Sequence, residues 1–263
     1  MGDAVFPFPG GKSRFASRIL DFVPDHTCFV EVFGGAAGVL VNKDPDTSRV
    51  EVYNDRDGDL VQFFEVLREQ CDEFAGWLDD VPYSRELHEE WAHKFYNGSR
   101  PSDAIERAGQ FFYLRYSQWG GVYDANSGFA TSKQSSHALS YANKLDRLQE
   151  FADRFAEVVV ENLDWSDVLE KYDAEETVFY CDPPYVGKEG YYLVNTIRHE
   201  AFVDALGELE GDWICSYDDL PDGLDGRTNE YYAVGRDENR FMGNGKQGSS
   251  KSARENLVMN FDP

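Results

Sequence analysis

Asp182, Pro183, Pro184 and Tyr185 follow directly on the run Thr177, Val178, Phe179, Tyr180, Cys181. The β-branched and aromatic run predicts a buried strand. Two prolines, each fixing φ and lacking an N–H, predict that the strand stops abruptly in a stiff turn. Such a turn presents a carboxylate, an unpaired backbone carbonyl and an aromatic ring at a strand's carboxyl end, where open α/β sheets bind ligands. These groups suit one chemical problem. The exocyclic amine of a nucleobase is a poor nucleophile, because its lone pair is delocalised into the ring. The Asp182 carboxylate and the Pro183 carbonyl can each accept one of its hydrogens and favour a tetrahedral nitrogen, and charge-assisted acceptors are the stronger kind. Tyr185 is then placed to stack on a base taken out of its duplex. A bare Asp-Pro turn would carry none of this, so the rest of the chain has to decide.

Three more acids stand at predicted strand ends. Cys28 to Val32 reads as a first strand carrying Glu31, and it runs into the small-residue turn Phe33-Gly34-Gly35-Ala36-Ala37-Gly38 before the apolar helix start Val39-Leu40-Val41. A strand, a tight turn and a helix start let backbone N–H groups approach a ligand. Glu31 beside that turn is placed to hold a ligand ammonium. Val50 to Tyr53 makes a second strand ending at Asn54-Asp55, with Asp55 about 20 residues past the turn, the position that binds ribose hydroxyls. Glu157 to Val160 makes another, leading to Asn162-Leu163-Asp164. Gly10-Gly11-Lys12-Ser13 superficially resembles a phosphate loop, but a Walker A motif needs a glycine where this chain has Phe6, which excludes nucleoside triphosphate binding there.

The elements that must position these groups alternate. Helices are expected over Ser13–Phe22, over Asp57–Gln70 with Leu60, Phe63, Phe64 and Leu67 on one core face, and over His199–Leu209, with a strand at Trp213–Tyr217. Glu230–Val234 and Glu255–Asn260 read as a closing hairpin around the basic, Gly/Ser-rich loop Gly243–Ser252. Between Cys71 and Asp153 the alternation lapses. Phe111 to Ser136 interleaves aromatics with Arg, Lys, Gly, Ser and Asn, the mixture that base stacking and base-edge reading require. Helices near Ser84–Phe95 and His137–Phe155 would carry it. The expected division is therefore a sheet domain from 1–70 and 154–263, with 71–153 as an inserted, mainly helical recognition module.

The 263 residues carry a net charge of −24, from 49 acids against 25 Lys and Arg. Such a surface ordinarily repels nucleic acid, unless it is adapted to concentrated salt, where repulsion is screened within roughly 3 Å at 1 M. Acid-free stretches at Ala4–Leu20, Arg107–Tyr123, Ala125–Leu145 and Asn239–Arg254 read as protected contact surfaces. There is no apolar run of membrane-spanning length and no signal-peptide pattern at the N-terminus, so a soluble protein inside the cell is expected. Four cysteines without C-x-x-C spacing read as buried thiols in a reducing cytoplasm, and not as metal ligands.

With FPFPGGK, FVEVFGGAAGVL, VYND, NLD and FYCDPPY in this order, the chain resembles the Dam-like (D12) DNA adenine-N6 methyltransferases, in the order of parts of their alpha group. The resemblance covers most of the chain. It implies a Rossmann-like, S-adenosylmethionine-dependent methyltransferase sheet acting on double-stranded DNA without a metal, and a monomer in a high-salt cytoplasm fits the composition. Carried over by position, cofactor contacts fall on Phe8, Gly11, Lys12, Glu31, Phe33, Gly34, Gly35, Asp55, Asp164 and Asp182. The catalytic loop falls on Asp182, Pro183, Pro184 and Tyr185. DNA contacts are expected from Arg115, Tyr116, Trp119, Tyr123 and Lys133 of the insert and from Lys246. Val32 and Ala37 depart from the family's usual proline and glycine, and a methyl at Ala37 is expected to narrow the turn. Direct transfer needs no covalent intermediate, unlike cytosine-C5 chemistry. Cytosine-N4 methylation, a catalytically silent DNA-binding protein and a methyltransferase acting on small molecules or proteins are the alternatives.

Overall fold

The computed structural model describes residues 3–119, 123, 127–185, 194, 197–217, 232–240 and 251–262, with backbone alone at 232–240 and 251–255. Seven strands form one sheet: β1 (Cys28–Glu31), β2 (Val50–Asn54), β3 (Val158–Glu161), β4 (Thr177–Cys181), β5 (Asp212–Tyr217), β6 (Tyr232–Arg240) and β7 (Lys251–Met259). Their spatial order is β3-β2-β1-β4-β5-β7-β6. The first five are parallel, while β7 is antiparallel to both β5 and β6. The strand order reverses between β1 and β4, which opens the ligand crevice of such sheets above the carboxyl ends of those two strands.

Side chains alternate across the sheet with a period of two. Phe29, Tyr53, Val178 and Tyr180 enter the core on one face, and Val30, Val52, Phe179 and Cys181 the core on the other. The second face is covered by α8 (Trp165–Tyr172) and α9 (His199–Leu206), through Val168, Leu169, Phe202 and Val203. The first is covered by α2 (Gly58–Glu69), whose expected stripe of Leu60, Phe63, Phe64 and Leu67 is wholly buried. Asp57 starts this helix by accepting from the Asp59 N–H at 2.9 Å, satisfying one of the donors left open in a first turn.

The segment 71–153 folds as α3 (Cys71–Asp79), α4 (Arg85–Tyr96), α5 (Ala104–Ser117), α6 (His137–Leu145) and α7 (Leu148–Phe155). Three of these, α3, α5 and α7, pack on α2, and Phe74, Phe111, Phe112 and Phe155 share one core with the sheet residues Phe29 and Tyr53. The single helix expected over His137–Phe155 is two, parted at Asp146-Arg147. The first half of the expected recognition stretch is helical and internal: α5 buries every residue from Ala108 to Leu114. Within Arg107–Ser117 all residues but Arg107 and Tyr116 are buried, which corrects the reading of it as a contact surface. N-terminally, α1 (Ala16–Leu20) is shorter than Ser13–Phe22. All four cysteines are free, with Cys181 and Cys215 buried. No helix among the described residues is long and apolar enough to cross a membrane.

Candidate active site

Four strand ends meet at the crevice, and Asn54 ties three of them. Its Nδ2 donates to the carbonyls of Val32 (2.9 Å) and Leu163 (3.3 Å), and its Oδ1 accepts from Leu163 N–H (2.9 Å). Asn162 adds a bond from Nδ2 to the Asp55 carbonyl at 2.8 Å. The residues after β1, β2 and β3 are thus held in one register. Nothing in the sequence singled out Asn54 for this, since its signal is only an amide next to the expected acid.

The turn after β1 depends on its small residues. Gly35 has φ +51°, and a Cβ there would meet the Phe8 ring at 3.1 Å. A Cβ on Gly34 would sit 2.2 Å from the Tyr53 ring. A Cβ on Gly38 would lie 2.9 Å from the Ser13 nitrogen and 3.2 Å from that of Lys12. The glycines therefore let Pro9-Gly10-Gly11-Lys12 lie directly across the turn, which explains why the two motifs occur together. Ala37 adopts φ +54°, a left-handed conformation costing an alanine about 1–2 kcal/mol. Its methyl is fully buried and does not line the cleft.

Around this turn lies a cleft that opens to solvent. All ten residues expected at a cofactor (Phe8, Gly11, Lys12, Glu31, Phe33, Gly34, Gly35, Asp55, Asp164 and Asp182) line it, and so does Pro184. Glu31 is 2% exposed, and its carboxylate accepts from the N–H groups of Leu40 (3.0 Å) and Val39 (3.3 Å). Desolvation pushes its pKa up to about 8 against these bonds, and the negative charge of Asp182 pushes the same way. Asp55 accepts from Gly35 N–H (2.9 Å) and Asp57 N–H (2.8 Å), and desolvation pushes it up to about 7. Asp164 caps α8 and faces Arg56 at 3.7 Å. Trp165, next to it, and Phe33 both pack on Phe202 and give the cleft an aromatic side.

Asp182 sits at the mouth of β4. The Lys12 ammonium, 4% exposed, donates to both of its carboxylate oxygens at 2.6 Å and to the Gly10 carbonyl at 2.9 Å. The same ammonium lies 5.0 Å from the centroid of the Tyr185 ring, and the Tyr217 ring lies 5.8 Å from it. Tyr185 is only 7% exposed, and Pro183 is buried as well. The Tyr185 ring thus presents little surface in this structure to a base that would stack on it.

The residues expected at DNA divide. Trp119 is 45% exposed and Lys133 is exposed. Arg115 is wholly buried, with Nη2 donating to Gln118 Oε1 at 2.8 Å and its guanidinium 4.1 Å from the Tyr123 ring, so it cannot reach a duplex from this position. Tyr116 donates its hydroxyl to the Val5 carbonyl at 3.0 Å, a bond that anchors the N-terminal strap. Tyr123 is 4% exposed and lines the cleft instead. An aromatic and basic composition marked both a core and a surface, and it could not separate them. Lys246 and most of the loop Gly243–Ser252 lie outside the described residues.

Residues 8–207 match the family model of D12 class N6 adenine-specific DNA methyltransferases, which covers the strap, the turn, the insert and the Asp182 loop alike. The chain belongs to that family. Among curated proteins, the DNA adenine methylase of Escherichia coli strain K12 is 26% identical over 187 residues, covering 69% of this chain and 64% of the relative. That of Haemophilus influenzae is 26% identical over 184 residues, 67% of this chain and 61% of the relative. The Type II methyltransferase M.CviBI of Paramecium bursaria Chlorella virus NC1A is 21% identical over 187 residues, 69% of this chain and 68% of the relative. The matched region is just under two thirds of the length of the first two. A D12 methyltransferase implies a methyl donor of the S-adenosylmethionine type, and the cleft fits one: the buried carboxyl of Glu31 and the half-buried carboxyl of Asp55, both raised above their ordinary range, line it beside an aromatic wall.

Proposed function

We propose that this D12 methyltransferase transfers a methyl group from S-adenosylmethionine to the N6 amine of adenine in double-stranded DNA. The observation that carries the reading is the single cleft running from Glu31 and Asp55 to the Asp182 carboxylate. The donor supplies a methyl already activated on a sulfonium, so the protein has to orient, desolvate and polarise the amine.

Glu31 holds the ammonium of the donor, Asp55 its ribose hydroxyls, and Asp164 with Phe8 and Phe33 flanks its adenine. Asp182 accepts a hydrogen of the target amine, concentrates lone-pair density on the nitrogen and takes up the proton that leaves. Lys12 keeps that carboxylate ionised and aimed until the base arrives, then has to yield one of its two oxygens. Cys181, which precedes the loop, and its β5 neighbour Cys215 are both fully buried, which supports direct transfer without a thiolate adduct. Trp119 and Lys133 offer an exposed ring and an exposed charge to the duplex.

Digestion of methylated DNA to nucleosides tests the reaction. N6-methyladenine is expected; N4-methylcytosine would transfer the reading to the other exocyclic amine, and absence of both would refute it.

A further inference from the structure

Among the described residues of the insert, Tyr123 alone lines the cleft. The Tyr123 hydroxyl donates to Asp57 Oδ2 at 2.7 Å, and the Asp57 N–H donates to Asp55 Oδ1 at 2.8 Å. The Tyr123 ring lies 5.7 Å from that of Phe8, and both line the cleft. Behind it, the buried Arg115 guanidinium sits 4.1 Å from the ring and donates to Gln118 Oε1. Arg115 Nε and Nη1 have no hydrogen-bond partner among the described residues, so its charge is held by aromatic faces, by Gln118, by the Tyr96 hydroxyl (3.3 Å) and by the charge of Asp57. Gln118 in turn pairs with Phe129 in an antiparallel bridge, extended by Trp119 N–H to the Gly128 carbonyl (2.9 Å) and Ala130 N–H to the Ser117 carbonyl (2.7 Å). Beyond the bridge stands exposed Trp119.

We infer that Tyr123 is a positioning residue that couples the two ligands: an occupied cofactor cleft fixes Tyr123 against Asp57, and this orders the strand pair at Gln118 and Phe129 for DNA. The inference rests on the reading of the cleft given above. A donor that draws on Asp55 also immobilises the Asp57 N–H bonded to it, and a donor packed beside Phe8 leaves Tyr123 no room to swing off the wall. Arg115 then keeps its aromatic cover, and Gln118 keeps its anchor. Linkage makes the effect reciprocal, so DNA must tighten cofactor binding by the same factor that cofactor tightens DNA binding. Proximity alone does not establish such coupling, and a variant that breaks the chain at one bond does.

The test uses the full chain and S-adenosylhomocysteine, which binds without turnover. Amide hydrogen exchange at Trp119 and Ala130 is expected to slow about tenfold when S-adenosylhomocysteine binds the wild type, and its presence should tighten duplex DNA binding by a similar factor. In Tyr123→Phe, which keeps the ring and loses the hydroxyl, both gains should fall below about threefold while S-adenosylhomocysteine still binds. Asp57→Asn, which weakens the same bond from the other side, should give the same loss. Unchanged coupling in both variants, or cofactor binding by the wild type without slower exchange, overturns the inference while leaving the proposed reaction standing. Failure of the wild type to bind S-adenosylhomocysteine overturns the reading of the cleft and this inference with it.

Discussion

Lys12 and Asp182, 170 residues apart, form a nearly buried ion pair in which one ammonium contacts both carboxylate oxygens at 2.6 Å. The pair fastens the N-terminal strap to the loop after β4. Lys12→Met removes the ammonium that contacts both Asp182 oxygens and should destabilise the fold by about 1–3 kcal/mol. It should also lower the methyl-transfer rate more than cofactor affinity. Thermal melts and single-turnover rates check both, and a variant as fast as wild type would remove Lys12 from the positioning of Asp182.

Gly38 should tolerate no side chain. Gly38→Ala pushes a methyl against the Ser13 and Lys12 nitrogens, backbone atoms that cannot rotate away. Displacing the strap should weaken S-adenosylhomocysteine binding roughly tenfold or more, by calorimetry. The contrasting change is Gly76→Ala within α3, where nothing lies within 4 Å of the added carbon. It should stabilise the protein by about 0.5–1 kcal/mol and leave binding unchanged.

Cofactor affinity should rise with pH. Desolvation pushes Glu31 up to about 8 and Asp55 up to about 7, both above their ordinary values, so Glu31 is largely protonated at neutral pH and Asp55 partly so. A cationic ligand favours the ionised Glu31, and binding therefore releases protons. Affinity should increase by about tenfold or more between pH 5.5 and 7.5. The cofactor-free fold behaves oppositely: raised carboxyl pKa values favour the protonated folded state, so stability falls as pH climbs from the ordinary carboxylate range towards 8. Glu31→Gln should flatten both dependences. A pH-independent affinity in the wild type would contradict the role given to Glu31.

Salt should stabilise this chain. With a net charge of −24, self-repulsion opposes the compact state, and screening shortens from about 10 Å at 0.1 M to about 3 Å at 1 M. The melting temperature is expected to climb steadily in potassium chloride from 0.1 M to 2 M. A flat or falling curve would remove salt adaptation as the explanation of the composition.

The parallel sheet and its acids were legible because strand ends are written in short, local signals. A β-branched run followed by Glu31-Val32-Phe33-Gly34, by Asn54-Asp55, by Asn162-Leu163-Asp164 or by Asp182-Pro183 states both the strand and its stop, and all four acids line one cleft. The insert was less legible. Aromatic and basic letters describe a recognition surface and a packed helix equally well, and only burial separates Arg115 and Tyr123 from Trp119. Helix α5 lacked a clean amphipathic stripe because it is buried nearly all round between α2, α3 and α4. The Lys12–Asp182 pair could not be read from the sequence at all, since it depends on Gly38 letting the strap cross the turn.

Transfer of labelled methyl from S-adenosylmethionine to unmethylated double-stranded DNA, comparing wild type with Asp182→Ala, tests the central claim most directly. Label should enter N6-methyladenine with the wild type and fall about a thousandfold with the variant, while S-adenosylhomocysteine binding changes less than the rate does. Equal rates in the two proteins would remove Asp182 from the chemistry, and no transfer by a folded wild type that binds cofactor and DNA would contradict the proposed reaction itself.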